Sequence, residues 1–479
     1  MTTNVPGSSD WSPERVAATA ARVCDPGEIQ ALLEAGQEAG AEAVRDLLHH
    51  ARNRQGLSPA EVATLIQVTD PALRREVLAA ARQVHEQVYG RRVSLCTPVC
   101  PTNRCVNDCL YCPLRRSHAA LRRTATSARD LQREIVALLD EGHRHVILVF
   151  GDDRSGVHYV HDMLWAAYGA RSGMRQLQRV DLNVDPMDVP ALRELKSAAA
   201  LGLYHVYQET YDPREYAALH PSGPKRDYAW RLTAHDRALE AGLAGLGLGV
   251  LLGAGDMAFD VTALIGHAQY LLREYGPHPQ TISYPRMLPS SGAPASHEPD
   301  RQVGHESFLY TVAVTRLAAP YTDLILSSPA TPEQRRELYA HGVSRVSVGS
   351  LSYPGTYTRD GDPTAGGDLT IGRPRSLESL VYRMAEGGFV PNFCAACFAQ
   401  RRRAALRDQA SPLDLAREHC APNALLSLKE YLMDYATPET RSIGDRLIQQ
   451  ELARLPETVR AATLGLMEEA EAGLRGQLL

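Results

Sequence analysis

No run of about 18 apolar residues occurs in this chain, so the sequence offers no candidate membrane-spanning helix. Its start, Met-Thr-Thr-Asn-Val-Pro-Gly-Ser-Ser, lacks the apolar stretch of a secretory leader. An excess of one charge is missing too: 51 Lys and Arg stand against 56 Asp and Glu, a formal net charge of −5. That even mixture argues against a nucleic-acid-binding surface. Runs such as Arg401-Arg402-Arg403 are short and read as a solvated face or a local anion contact. Beyond an alternation of element types, no internal repeat of 20–50 residues appears. The expected location is the cytoplasm, with neither nucleic acid nor membrane as partner. Nine cysteines in that reducing compartment read as metal ligands rather than disulfides. At 479 residues the chain can form one barrel of about 250 residues with appendages, or two or three domains.

Three of the cysteines lie close together in Arg104-Cys-Val-Asn-Asp-Cys-Leu-Tyr-Cys112. The spacing Cys-x3-Cys-x2-Cys lets one loop bring Cys105, Cys109 and Cys112 to a single cluster. Closed [4Fe–4S] sites take four cysteines, so three thiolates leave one iron open to a small molecule. The amino and carboxylate groups of S-adenosylmethionine (SAM) suit such an iron. A zinc knuckle with a distant fourth ligand, or three cysteines buried by chance, are the structural alternatives. Zinc sites, however, usually show paired Cys-x2-Cys or Cys/His units. The motif, with Tyr111 as its aromatic residue, resembles the signature of the radical SAM superfamily.

Residues 1–10 read as a frayed tail, and Pro26 to Tyr89 as helical throughout. Within that stretch, Ser58-Pro-Ala-Glu61 has the form of a capping box. Eight apolar or β-branched runs follow: Arg92–Thr97, His145–Phe150, Gln178–Val184, Leu203–Gln208, Leu246–Leu252, Gln280–Arg286, Asp323–Ser327 and Ser344–Gly349. Amphipathic stretches lie between them: Ser127–Glu141, His158–Ala170, Val189–Ala199, Tyr228–Ala241, Asp260–Glu274, Gly304–Leu317 and Pro332–His341. This alternation implies parallel β/α units, and eight of them imply an α/β fold of the closed (β/α)8 TIM type. Tyr353 to Gly367 reads as a long loop. Ser376–Gly387 and the region from Asn423 onward are helical in pattern. The resulting division is a helical extension over 1–88, the barrel over 89–375, and a helical C-terminal domain over 376–479.

Functional residues of such barrels gather at the carboxyl ends of the strands. The cluster loop follows the first strand, as this requires. Gly151-Asp152-Asp153 follows the second and offers a backbone edge and a carboxylate to the amino group of SAM. Asn183-Val-Asp185 ends the third and Gln208-Glu209-Thr210-Tyr211 the fourth. In the fifth, Gly247, Gly249 and Gly253 leave room for a flat adenine or a substrate. Arg286 ends the sixth, Ser327 and Ser328 the seventh, Gly349 and Ser350 the eighth. Polar residues at strand ends are also ordinary caps and turns, but their coincidence around the rim favours a polar cup.

A second cysteine group, Cys394-Ala-Ala-Cys397 with Cys420 after 22 residues, can hold another iron–sulfur cluster with an open iron, or a zinc or purely structural site. His267, in the helix after the fifth run, reads alone as an ordinary surface or core histidine. Cys24, Cys96 and Cys100 read as packing residues.

Further segments carry a closer resemblance. Tyr207-Gln-Glu-Thr-Tyr211, His220-Pro-Ser-Gly-Pro-Lys225, Trp230-Arg231, Thr281-Ile-Ser-Tyr-Pro-Arg286 and Cys420-Ala-Pro-Asn-Ala-Leu-Leu resemble the [FeFe]-hydrogenase maturase tyrosine lyases, sisters of 2-iminoacetate synthase and the tryptophan lyase. The resemblance runs from about residue 85 to about residue 450. It implies that the first cluster cleaves SAM to methionine and a 5′-deoxyadenosyl radical. That radical takes a hydrogen atom from the tyrosine amino group, and Cα–Cβ cleavage gives p-cresol and dehydroglycine. A second [4Fe–4S]-type cluster on Cys394, Cys397 and Cys420, with an auxiliary iron on His267, then forms CO and cyanide. It further implies cofactor contacts by Tyr111, Gly151, Asp152, Asp153, Asn183, Arg231 and Gly253, and roles near the reacting groups for Gln208, Glu209 and Arg286. A ferredoxin or flavodoxin reductant and other metallocofactor maturation proteins are the implied partners.

Two departures stand out. Relatives carry Ser-Thr-Arg-Glu after the seventh strand, where this chain has Ser327-Ser328-Pro329-Ala330 and so lacks a bidentate cation for a substrate carboxylate. The maturase's Gly-Arg-Thr-Gly segment is replaced by Phe398-Ala-Gln-Arg-Arg-Arg-Ala-Ala-Leu, without those glycines. A paralogue acting on another amino acid, for a different metallocofactor or natural product, is therefore the alternative enzyme. A non-catalytic iron–sulfur scaffold is the alternative of another class.

Overall fold

Arg92–Thr102 forms strand β1 and runs on past Thr97, where the apolar run had placed its end. In this computed structural model residues 11–153, 156–198, 201–276, 278–349, 353–358, 376–395 and 411–479 are described. The second half of β1 pairs in parallel with β2 (His145–Phe150), Thr97 opposite Val146 and Val99 opposite Leu148. The register then shifts before Thr102 meets Phe150. An irregularity of this kind bends a strand, and here it turns the chain into the cysteine loop.

The ring continues through β3 (Arg179–Asn183), β4 (Tyr204–His205), β5 (Leu246–Gly249), β6 (Thr281–Ser283), β7 (Asp323–Leu326) and β8 (Arg345–Ser347). All neighbours are parallel, and β8 returns to β1 through Ser94–Arg345 and Cys96–Ser347. The eight expected runs thus mark the eight strands of a closed (β/α)8 barrel, β1 alone extending beyond its run. Their ladders are mostly shorter than the runs, because apolar composition continues past the last paired residue. A ninth strand, β9 (Val390–Asn392), pairs with Arg92–Ser94 and was not legible in the sequence. Three residues with a central proline carry no alternation to read.

Outer helices fall where the amphipathic stretches lie, from Ala128–Asp140 to Pro332–His341. One stretch is divided: Tyr228–Leu232 and Ala234–Glu240 are separate helices meeting at Thr233. Among the described residues the N-terminal extension is five helices: Pro13–Val23, Pro26–Gln37, Ala41–Ala51, Pro59–Ile66 and Pro71–Tyr89. Four of them place proline just inside the helix behind Ser12, Asp25, Ser58 or Asp70 as cap. Both reciprocal bonds of the Ser58–Glu61 capping box are present. Val62, Val77, Leu264 and Val312 belong to one fully buried core joining this extension to the barrel helices Met257–Tyr275 and His305–Ala318.

The helices Leu377–Glu386, Ala421–Asp434, Pro438–Leu452 and Glu457–Glu471 gather near β9. Phe393 stacks on Tyr431 at 4.6 Å, and Arg144 pairs with Glu430 at 2.7 Å. Among the described residues no helix is long and apolar enough to cross a membrane.

Candidate active site

Beyond Thr102 the chain has no regular structure until Ala128, so side chains must hold the cysteine loop. Asn103 closes its neck, donating to the Arg122 carbonyl at 2.9 Å and accepting from the Thr124 N–H at 2.7 Å. Asp108 accepts from Arg115 Nε at 2.7 Å and Ser117 Oγ at 2.6 Å. The Arg115 bond holds the Asp108 carboxyl below the usual carboxylate range. On one side the Val106 N–H donates to the Asp152 carbonyl at 2.7 Å. Gly151 lies so close that a Cβ there would sit 2.3 Å from the Arg104 carbonyl oxygen. On the other side, Leu219–Lys225 clamps the loop: Asp108 N–H donates to the Ser222 carbonyl and Leu110 N–H to the Leu219 carbonyl, at 3.1 and 3.0 Å. Lys225 N–H donates to Asn107 Oδ1 at 2.8 Å. Gly223 has φ +95° and would place a Cβ 2.5 Å from that same oxygen, so glycine is required there.

The loop brings the three thiols into one field. Cys109 is buried, Cys105 and Cys112 half-buried. Burial pushes Cys109 up to about 11, and burial with repulsion from Cys109 and Cys105 raises Cys112. Thiols held this high ionise only against a strong cation. Soft donors of this kind suit iron in a cluster, so by chemistry the three thiols would serve a [4Fe–4S] group, although among the described residues they do not stand as a closed metal-ligand group.

Val106 and Asn107 of the loop bond Asp152, which lines a cavity of about 360 Å³ with Gly151, Asp153, Asp185, Lys225, Trp230 and Arg231. Arg231 is its brace, donating to the Tyr207 carbonyl at 2.6 Å and to Asp185 at 2.9 Å, with Glu209 3.7 Å away. Lys225 Nζ reaches Glu209 at 2.6 Å. Burial raises the Asp185 and Glu209 carboxyls, but Arg231 and Lys225 outweigh it and hold both below their ordinary values. Asn107 Nδ2 links Asp152 at 3.1 Å to Asp185 at 3.4 Å, and Thr102 donates to Asp153 at 3.1 Å. Glu209 sits at φ +72°, a strained conformation for a side chain other than glycine. With Asp188 and Asp227 the lining carries five carboxylates against Lys225 and Arg231, which favours a cationic ligand.

Other expected residues fall variously. Tyr111 borders the thiols, its hydroxyl 2.9 Å from His220 Nε2. Asn183 ends β3, half-buried, and its side chain makes no hydrogen bond among the described residues. Gln208 is buried with neither amide atom partnered. A buried unpartnered amide is costly without a ligand. Arg286 is directed outward: its guanidinium stands over Phe308 at 4.9 Å and donates to the Pro329 carbonyl at 2.6 Å.

One expectation is corrected. The room at the glycines is already taken, since a Cβ on Gly247 or Gly249 would meet His205 at 2.1 Å or Tyr207 at 2.6 Å. Gly253 is required instead by the Arg301 carbonyl oxygen, 2.1 Å from its Cβ position. His267 keeps a buried Nε2 that has no hydrogen-bond partner among the described residues. It lies buried in Met257–Tyr275 with Nδ1 2.9 Å from the Tyr211 hydroxyl, among the rings of His235 and Tyr270.

Cys394 follows β9, and Cys420 ends a π-helical turn over Leu415–Cys420, a distortion frequent at functional sites. Cys397 and Ser350 lie outside the described residues, as does the replaced segment after Cys397. Cys24, Cys96 and Cys100 are buried and raised to about 12 by that burial, consistent with packing. Reasoning from sequence missed Asn107 and the clamp by His220 and Lys225, although Asn107 stands inside the cysteine motif itself.

It also missed a polar base to the barrel. Asp181 accepts from Arg179 at 2.6 and 2.7 Å and pairs with His145 at 2.9 Å. Arg345 lies 3.2 Å from His145 Nδ1 and pairs with Asp323 Oδ2 at 2.5 Å. A contact from β8 to β2 across β1 runs over the inner face. Arg179 also lines a cavity of about 490 Å³ together with Arg144, Gln178, Cys394 and Glu430.

A three-thiol loop over an acidic cup, at the carboxyl rim of a closed β/α barrel, defines a radical SAM enzyme. Residues 99–263 match the Radical SAM superfamily model, and residues 283–390 match the Biotin and Thiamin Synthesis associated domain. The chain is 30% identical over 315 residues to 2-iminoacetate synthase of Escherichia coli K12, covering 65% of this chain and 80% of that one. The Salmonella typhimurium LT2 enzyme of the same name matches at 30% over 316 residues. A solved structure of HydG, a maturase of the [FeFe]-hydrogenase, superposes with TM-score 0.87 at 31% identity, over 95% of this chain and 99% of that one. HydG of Carboxydothermus hydrogenoformans gives 0.79 at 28%, over 96% and 100%. The chain belongs to the radical SAM family of 2-iminoacetate synthase and HydG, enzymes that cleave carbon–carbon bonds.

Proposed function

We propose that this enzyme is a tyrosine Cα–Cβ lyase that yields p-cresol and dehydroglycine and passes the latter to a second iron–sulfur site for conversion to CO and cyanide. The observation that carries the reading is the bracketed loop of Cys105, Cys109 and Cys112, bonded through Val106 and Asn107 to the cup of Asp152, Asp185 and Arg231. The cluster and SAM supply a carbon radical able to take a hydrogen atom from the substrate amine. The chain's own part is to hold and enclose. Asp152 and Asp153 suit the SAM amino group, with Asn107 fixing Asp152. Arg231 keeps Asp185 and Glu209 ionised, and the unpartnered Gln208 amide offers a donor and an acceptor to the substrate. Sealing such a site from water protects a radical from side reactions.

Support for the second site is the polar base around Asp181, continuous through Arg179 with the cavity beside Cys394. That site would take Cys394, Cys397 and Cys420. His267, whose buried Nε2 is unpartnered among the described residues, would serve the auxiliary iron. The free thiols agree with a reducing cytoplasm and a ferredoxin- or flavodoxin-type donor.

A second reading, a paralogue acting on a different amino acid, is favoured by Ser327-Ser328-Pro329-Ala330 together with the outward course of Arg286. The test is anaerobic reconstitution with SAM, dithionite and tyrosine, following 5′-deoxyadenosine and p-cresol together. Both rising in step supports the tyrosine lyase, whereas deoxyadenosine without p-cresol overturns tyrosine as substrate. Replacing Cys394 and Cys397 with Ala should spare p-cresol and abolish CO and cyanide.

A further inference from the structure

We propose that His220 is a positioning residue for the SAM-binding site, acting through its Nε2 on the hydroxyl of Tyr111. His220 is fully buried, and its Nδ1 lies 2.7 Å from the Tyr216 carbonyl oxygen. A carbonyl only accepts, so Nδ1 carries the ring's proton and Nε2 presents a lone pair. The Tyr111 hydroxyl, 2.9 Å from Nε2, is therefore the donor.

The imidazole cannot turn away. It stacks on the Tyr216 ring at 4.0 Å and 27°, and Tyr216 is itself tied by its hydroxyl to the Lys225 carbonyl at 2.5 Å. Nor is Tyr111 free to move. Its ring meets His220 edge-on at 5.4 Å, and Lys225 Nζ, anchored on Glu209, lies 5.5 Å from its centroid. Tyr111 also packs with Leu219, Leu251 and Met287, so its placement ties the cysteine loop to the ends of β5 and β6. Standing between Cys109 and Cys112 in the chain, it fixes how those two thiols present themselves to the cup. His220 touches none of the thiols in the described contacts, so its influence on them passes through Tyr111.

The inference rests on the SAM-binding site alone and not on tyrosine as substrate. Its test therefore reads SAM affinity and the EPR spectrum of the reduced first cluster with and without SAM, in the anaerobically reconstituted full chain. His220→Phe keeps a flat buried ring but removes the acceptor. It should bind iron as the parent does, weaken SAM about fivefold, the worth of one ordinary hydrogen bond, and alter the SAM-induced change in the spectrum. His220→Gln, whose amide oxygen can accept from Tyr111, should return both to within about twofold of the parent. Tyr111→Phe should match His220→Phe, and the double variant should be no worse than either alone.

Unchanged affinity and spectrum in His220→Phe would overturn the proposal, as would Gln failing to rescue or the two single effects multiplying. Should His220→Phe not fold, Tyr111→Phe decides, since it loses a single oxygen and must show the same weakened binding. Absence of p-cresol with intact SAM binding would count against the lyase reading and leave this one standing.

Discussion

Acidification to pH 5 should destabilise the apoprotein through histidines, well before most carboxylates titrate. Burial pushes His145, His220 and His235 down to about 3, and His85 and His267 well below their ordinary value. These five stay neutral in the fold at pH 5 while their unfolded counterparts, with pKa near 6.5, are almost fully protonated. Their contribution to stability is complete above about pH 6.5 and is lost as pH falls toward the folded values. Three buried acids act in the opposite sense. Burial raises Asp236 to about 6, Glu134 to about 7 and Asp260 to about 8, so at pH 5 the fold holds protons that the unfolded chain releases. Unfolding at pH 5 then takes up about five protons and releases about three. A net uptake of about two corresponds to a slope near 2.7 kcal/mol per pH unit, against about zero near pH 7 where the two sets cancel. Urea midpoints of the apoprotein from pH 8 to 4.5 measure this directly. The sharper check is Asp260→Asn, which mimics the protonated acid beside Thr210 and Tyr211. It should steepen the acid slope by about one proton, to near 4 kcal/mol per unit. Midpoints flat between pH 7 and 5, or a shallower slope in Asp260→Asn, would refute the reasoning.

Gly151→Ala would press a methyl against the Arg104 carbonyl, 2.3 Å from its Cβ position, and should displace the cysteine loop. Iron and sulfide analysis after reconstitution should show first-cluster loading lost while urea stability falls by no more than about 2 kcal/mol. Lys225→Met leaves the buried Glu209 carboxylate with only Arg231, 3.7 Å away. It should cost about 3 kcal/mol in urea unfolding, and Lys225→Arg, which keeps the charge, should recover most of it.

The barrel was readable because each strand and helix carries its own periodicity, and the first cysteine triad because its ligands are neighbours in the chain. What stayed hidden depends on contacts between distant residues. His145, Arg179, Asp181 and Arg345 look like ordinary strand-start residues until the ring closes and brings β8 to β2. His220 and Lys225 matter because Leu219–Lys225 folds back on the cysteine loop, a contact spanning more than a hundred residues between Tyr111 or Asn107 and its partner. His267 stays ambiguous for the complementary reason. A histidine in an amphipathic helix has the same local pattern whether it faces an iron or the Tyr211 hydroxyl.

The substrate end of the cup yields the most consequential expectation. Ser283 and Ser327 meet at 3.2 Å, while their neighbours Ile282, Tyr284, Leu324 and Leu326 belong to the outer core, so both hydroxyls face the bore. Arg286 faces the other way, its guanidinium engaged with the Pro329 and Val303 carbonyls. A substrate carboxylate in the bore would then meet neutral donors, Ser327 and Gln208, instead of a guanidinium. A hydrogen bond to a neutral donor contributes about 1 kcal/mol and one to a charged donor about 1.5–3. Ser327→Arg should therefore lower the KM for tyrosine about tenfold with kcat little changed, because a carboxylate contact serves ground state and transition state alike. Arg286→Met, by contrast, should lower stability and leave that KM within about twofold. If Arg286→Met instead raised the KM a hundredfold while Ser327→Arg did nothing, the carboxylate would be held by Arg286 after all, and the outward course of its side chain would describe only the substrate-free enzyme.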